Sequence, residues 1–214
     1  MLETTRRKLD SMYRGEPQPG RDGALHEIDK STRISVEQGE LLATFHQKIR
    51  PKVSIEVGMA YGFSTLFIAD SMHEHNYGYH LAIDPFQASH WHGIATTGVN
   101  DLGFEQRVRH VNELSVAGLT RMHEQGVRAD YVFIDGQHTF DSVLVDFFCT
   151  DRLLNIGGIV LFDDMWMPSI RKVASYVRAN FPHYTEVPTP VANVFCVLKN
   201  AEDSRRWDHF IDFN

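Results

Sequence analysis

Apolar residues first recur with a helical period at Leu41, Leu42, Phe45 and Ile49. Ser35 and Gln38 stand ahead of them at capping-box spacing, so the pattern predicts a helix over 36–49, stopped by Pro51. The period then shortens. Val53–Val57 is a β-branched run with the length of a buried strand. A helix follows it to about residue 73, with Ser64 or Thr65 as the expected cap. Further short apolar runs fall at 79–83, 107–111, 129–134 and 159–162. Between and after them, helices are expected over 115–125, over 140–154, and from a Ser169 cap to about 180. Strands at 184–187 and 191–198, joined by Pro188-Thr189-Pro190, close the series. Strand–helix alternation of this kind predicts an α/β fold: a doubly wound, mostly parallel sheet with helices on both faces and an antiparallel C-terminal end.

Three stretches lack a period. Residues 1–30 are polar and broken by Gly15, Pro17, Pro19, Gly20 and Gly23, which reads as an extended arm. Residues 86–103 carry Trp91 between His90 and His92; they read as a binding loop or lid, or as a surface loop with Trp91 tucked onto the core. Residues 201–214 form a charged tail whose Trp207, Phe210 and Phe213 are expected to dock. The expected layout is thus an arm (1–30), one domain (31–200) and a tail (201–214).

A formal charge of −7 over 214 residues argues against nucleic-acid binding through a broad basic surface. Arg6-Arg7-Lys8 and Arg205-Arg206 are expected to be solvated faces. Cys149 and Cys196 both sit in apolar runs, which fits buried thiols in a reducing compartment. With no apolar core after the polar start and no bilayer-length apolar stretch, a cytoplasmic location without membrane contact is expected. The arm and the aromatic tail are the expected surfaces for a homodimer.

The candidate chemistry gathers at strand ends. Glu56-x-Gly58-x-x-x-Gly62 makes a strand, a glycine turn and a helix start, an arrangement suited to a nucleotide. It misses the G-x-G-x-x-G of dinucleotide folds. An acid at position 56 would repel pyrophosphate but suit the amino group of a zwitterion. Asp84 ends the second strand, where a carboxylate can accept from both ribose hydroxyls; the alternative is an acid that opens a loop. Glu113 or Ser115, after the third strand, is the expected adenine contact. Asp135, Asp163 and Asp164 end neighbouring strands. They read either as helix caps or as ligands of a hard divalent cation (Mg²⁺, or Mn²⁺ or Ca²⁺) that relieves their repulsion.

These motifs together resemble those of metal-dependent O-methyltransferases of the catechol and caffeoyl-CoA type. The likeness is closer still to a small bacterial group that includes sugar O-methyltransferases. The carrying residues are Ile34–Gly39, Glu56-Val57-Gly58 with Gly62–Thr65, Ala82-Ile83-Asp84, Phe133–His138 and Gly157–Asp164. The resemblance implies a Rossmann-like seven-stranded sheet. It also implies S-adenosylmethionine as donor, with Glu56, Gly58, Ser64 and Asp84 around it; Tyr61, Gly62, Glu113, Ser115 and Asp135 complete the expected contacts. Asp135, Asp163 and Asp164 would hold Mg²⁺. Two positions depart from the catechol enzymes: Asp164 stands where they have Asn, and no lysine follows Asp135 before Lys172. His138 lies near the place of that lysine, as a base or as a packing residue at a helix start. The expected reaction is transfer of a methyl group to a hydroxyl of a small molecule: a sugar, a polyol or a catechol. The competing classes are a non-catalytic donor-binding module, a metal hydrolase and a dinucleotide-dependent oxidoreductase.

Overall fold

The computed structural model describes residues 1–213, apart from the side chains of Glu74 and His75. Its large sheet is built from β3 (Val53–Val57), β4 (Tyr79–Ile83), β5 (Val108–Val111), β6 (Ala129–Ile134), β7 (Leu154–Phe162), β8 (Tyr184–Glu186) and β9 (Phe195–Lys199). The order across it is β5-β4-β3-β6-β7-β9-β8. Pairing is parallel from β5 through β7, and β9 runs antiparallel to both neighbours. Chain order reverses between β3 and β6, so the crevice beyond their C-terminal ends is the expected ligand edge.

Side-chain alternation decides which layer each strand residue joins. Ile55, Val57, Val132, Ile134, Val160 and Phe162 face one layer, with apolar residues of α5 (Ser115–Glu124), α6 (Phe140–Leu153) and α7 (Pro168–Asn180). Tyr131, Phe133 and Leu161 face the other, with α1 (Glu3–Arg14), α2 (Val36–Ile49), α3 (Phe63–His75) and α4 (Ile94–Asp101). At Gly39 of α2 a Cβ would come within 2.2 Å of the Phe67 ring, so only glycine lets α2 and α3 approach this closely.

The pattern misled in several places. The polar start is not extended: Glu3–Arg14 is helical, with Thr5, Leu9 and Met12 buried at positions i, i+4 and i+7. The Gly/Pro cluster only ends it, through Gly15 in the left-handed region and a short hairpin, β1 (Gln18–Pro19) with β2 (Leu25–His26). Within 86–103, residues Ile94–Asp101 form α4. Neither expected serine cap exists at α3 or α7. Gly62 and Met167 hold those positions, and Ser169 Oγ instead donates to the His138 carbonyl at 2.6 Å. In the tail, Phe213 meets the Tyr176 ring edge at 5.1 Å, but Trp207 is 94% exposed. Arg205 is not merely solvated, since it lies 3.8 Å above the Phe181 ring. Among the described residues no helix is long and apolar enough to cross a membrane.

Candidate active site

A cavity of about 820 Å³ opens at the crevice between β3 and β6. That volume suits a nucleoside-sized ligand with a second small molecule. Of the residues expected to form a site, Gly58, Asp84, Ser115, Asp135, His138, Asp163 and Asp164 line it. Glu56, Tyr61, Gly62, Ser64 and Glu113 do not.

The exclusions have physical causes. Glu56 alternates with Ile55 and Val57, so it points into the layer of α3 and is fully buried. Its carboxylate accepts from Ser64 Oγ, from Thr65 Oγ1 at 2.5 Å and from His80 Nε2 at 3.1 Å. The two hydroxyls that looked like caps are thus committed to this acid. Tyr61 is buried against Trp91, with ring centroids 5.0 Å apart. Gly62, at positive φ, faces Ala95, whose Cβ would lie 2.9 Å from an added Cβ. Glu113 is held by Arg121 Nε at 3.0 and 3.1 Å.

The glycine turn is shaped by Asp84. Its carboxylate accepts from the amides of Met59 (3.1 Å), Ala60 (2.8 Å) and Phe86 (2.7 Å). Gly58, at φ 91°, lies so close to the Asp135 carbonyl that a Cβ would sit 2.1 Å from it. The glycine therefore lets the β3 and β6 turns close side by side; any L-residue would force them apart.

Across the crevice, Asp135, His138 and Asp164 meet. His138 Nε2 lies 3.3 Å from Asp135 Oδ1 and 3.1 Å from Asp164 Oδ2. Asp164 sits in the left-handed region at φ 59°, a costly place for a residue with a Cβ. Asp163 is buried and is not part of this cluster. Its Oδ1 accepts from Gln38 Nε2, from Asn193 Nδ2 at 2.9 Å and from the Asp164 amide at 2.7 Å. Burial, with Asp135 nearby, pushes the Asp163 carboxyl up to about 8. Burial also lifts Asp135 to about 6, and the hydrogen bond to Asp135 raises the pKa of His138. Ligand atoms of Asp135, His138 and Asp164 all lie within 4.8 Å of one another. Carboxylates this crowded favour a divalent cation between them, so Asp135 and Asp164 fit one. As caps the aspartates are excluded at α6 and α7, whose N-caps are Thr139 and Met167.

Three polar residues of the site escaped the sequence pattern. Asp146 is buried on α6, lines the cavity and has its carboxyl pushed up to about 6 by burial. An acid set between Val143 and Phe147 on an apolar face was its visible signal. Gln38 was legible only as a cap, and Asn193 not at all, because both reach Asp163 through tertiary contacts.

The strand order, the reversal between β3 and β6 and the glycine turn beside the crevice define a Rossmann-like class I methyltransferase fold. A family model described as a methyltransferase domain matches residues 55–165, just over half the chain, and the chain belongs to that family. Solved structures agree in fold. An S-adenosylhomocysteine-bound methyltransferase of Podospora anserina aligns with TM-score 0.71 at 14% identity, covering 94% of this chain and 89% of its own. An O-methyltransferase of Bacillus cereus in complex with S-adenosylhomocysteine gives 0.67 at 16%, covering 93% and 92%. The Streptomyces achromogenes O-methyltransferase TomG of tomaymycin synthesis, in complex with S-adenosylmethionine, gives 0.67 at 17%, covering 94% and 91%.

Proposed function

We propose that this methyltransferase uses S-adenosylmethionine to methylate a hydroxyl of a small molecule, with a divalent cation at Asp135 and Asp164. The observation that carries the reading is the shared cavity: the glycine turn and Asp84 line the same space as the Asp135–His138–Asp164 cluster. The donor-bound relatives support the choice of donor, and their description as O-methyltransferases supports oxygen as the acceptor atom.

The sulfonium donor supplies an activated methyl group and its own leaving group. The chain must therefore align the acceptor hydroxyl and take its proton. Gly58, Asp84, Ser115 and Asp146 form the donor half of the cavity. Asp84 fixes the turn through three amides, so its contribution is to shape the cradle before the ligand arrives. Glu56 acts at one remove, by anchoring the start of α3. A divalent cation would lower the pKa of a bound hydroxyl. His138 is the base: as a neutral imidazole it accepts the proton, and Asp135 and Asp164 stabilise the imidazolium that forms. Asp163, held by Gln38 and Asn193, keeps the loop of Asp164 in its strained shape and completes the acidic end.

Calorimetry with S-adenosylhomocysteine, with and without Mg²⁺ and beside NAD, tests this reading. Micromolar binding of the first and none of NAD is expected; silence with S-adenosylhomocysteine overturns it.

A further inference from the structure

Six acids line the cavity: Asp84, Asp135, Asp141, Asp146, Asp163 and Asp164. Arg33 is the one side chain of fixed positive charge among the lining residues. Among the described residues it forms no ion pair. Its Nη1 donates to the Tyr13 carbonyl at 2.9 Å, and its guanidinium lies 6.0 Å from the Tyr13 ring centroid. Glu37 and Glu40 act electrostatically on the same tyrosine, yet neither pairs with Arg33.

The side chain is exposed, but the backbone that carries it is held from both sides. Tyr13 Oη donates to the Ile34 carbonyl at 3.1 Å, which pins residues 33 and 34 to α1. Ser35 caps α2, and Gln38 in its first turn bonds Asp163. Arg33 therefore precedes a helix start that is tied directly to the acidic end of the cavity. The tether consumes one nitrogen and leaves the rest of the guanidinium fork for a ligand. A planar fork of this kind matches a carboxylate or a phosphate.

We propose that Arg33 recognises an anionic group on the methyl acceptor, so that the substrate is a hydroxyl compound bearing a carboxylate or phosphate. This rests on the O-methyltransferase reading above. The energetic logic is electrostatic: among acids that repel an anion, the acceptor's charged group is best placed where the guanidinium meets it, apart from the divalent cation proposed at Asp135 and Asp164. The donor also carries a carboxylate, so the test must separate the two sources.

Two matched pairs of probes differ by a single carboxylate: 3,4-dihydroxybenzoate with catechol, and glucuronate with glucose. Each is titrated calorimetrically into the full chain with S-adenosylhomocysteine and Mg²⁺ present, for the wild type and for Arg33→Gln and Arg33→Lys. In at least one pair the acid is expected to bind about tenfold tighter. That preference should vanish in Arg33→Gln and return in part in Arg33→Lys, with the affinity for S-adenosylhomocysteine within twofold throughout. Preference for the acid in neither pair overturns the proposal. So does weaker S-adenosylhomocysteine binding in Arg33→Gln, which would give the arginine to the donor carboxylate. Absence of S-adenosylhomocysteine binding in the wild type is a different failure, that of the methyltransferase reading itself.

Discussion

Two clusters in this molecule place one histidine between two aspartates, at opposite edges of the same sheet. Asp135, His138 and Asp164 stand beyond the C-terminal ends of β6 and β7. Asp151, His183 and Asp203 stand at the other edge, where α6 ends and β8 begins. Residue types are the same; the company differs. At the second cluster Lys199 Nζ lies 3.2 Å from Asp151 Oδ1, and Tyr184 Oη donates to that oxygen at 2.8 Å. Arg205 grips Asp203 with two nitrogens at 2.8 and 2.6 Å and holds its carboxyl down at about 2. The cations are already built in, so the cluster welds α6 to β9 and the tail. At the first cluster no lysine or arginine pairs with the acids among the described residues, a cavity faces them, and burial pushes Asp135 up to about 6. A motif of three residues does not separate a weld from a site; the countercharge does.

The largest expected effect tests the site half of that contrast. Replacing Asp135 by Ala should lower kcat/KM by about a thousandfold, roughly 4 kcal/mol of transition-state stabilisation, since proton removal and cation binding both depend on it. Tm should stay within about 2 °C of the wild type, because no buried partner is left uncompensated. Steady-state kinetics with calorimetric Tm on the same preparation reads both. Full turnover, or a collapse in Tm, would make the first cluster another weld.

Lys199→Met tests the other half. Lys199 is buried and also donates to the carbonyls of Asp151 (2.7 Å) and Leu154 (3.2 Å). Removing it strands a carboxylate and two carbonyls, a loss of about 3–5 kcal/mol. Tm should fall by about 10 °C, at ~2–4 °C per kcal/mol for a chain of this size. Turnover per folded molecule should be unchanged. An unchanged Tm would mean that Asp151 does not need its cation, and the contrast would lose its physical basis.

Much of this was legible beforehand, for reasons that can be named. Long periodic segments such as Val36–Ile49 and Ala129–Ile134 announced themselves, because their burial pattern repeats over several residues. The acids at strand ends were legible because chain topology alone carries Asp84, Asp135 and Asp163-Asp164 to one edge. What failed was direction. Glu56 sits between Ile55 and Val57, and two-residue alternation turns it toward α3; the motif around it spoke of a ligand instead. The helix at Glu3–Arg14 was hidden because only Leu9 and Met12, with Thr5, carry its buried stripe in an otherwise charged segment. Partners that arrive from far along the chain, as Gln38 and Asn193 do at Asp163, leave no local pattern to read. The Arg33 tether to Tyr13 is of the same kind.

The smallest effect sharpens the comparison most, since the two edges should respond to pH with opposite sign. Asp146, on the cavity wall, has its pKa raised from 3.8 to about 6 by burial. A raised carboxyl contributes stability that is fully present below about 3.8 and lost as pH rises through about 6. Asp203, at the weld, has its pKa lowered from 3.8 to about 2, first by its hydrogen bond to Arg205. Its contribution is present above about 3.8 and lost as pH falls through about 2. Asp203 is also about a third exposed, so solvent screening trims its effect. Relative to wild type, Asp146→Asn should therefore gain Tm between pH 5 and pH 8. Asp203→Asn should be less stable than wild type at pH 7 and converge on it as pH drops toward 2. Differential scanning calorimetry of both variants across that range reads the two slopes. If they run in the same direction, the cavity acids are compensated like those of the weld, and the distinction between the two clusters fails at its electrostatic root.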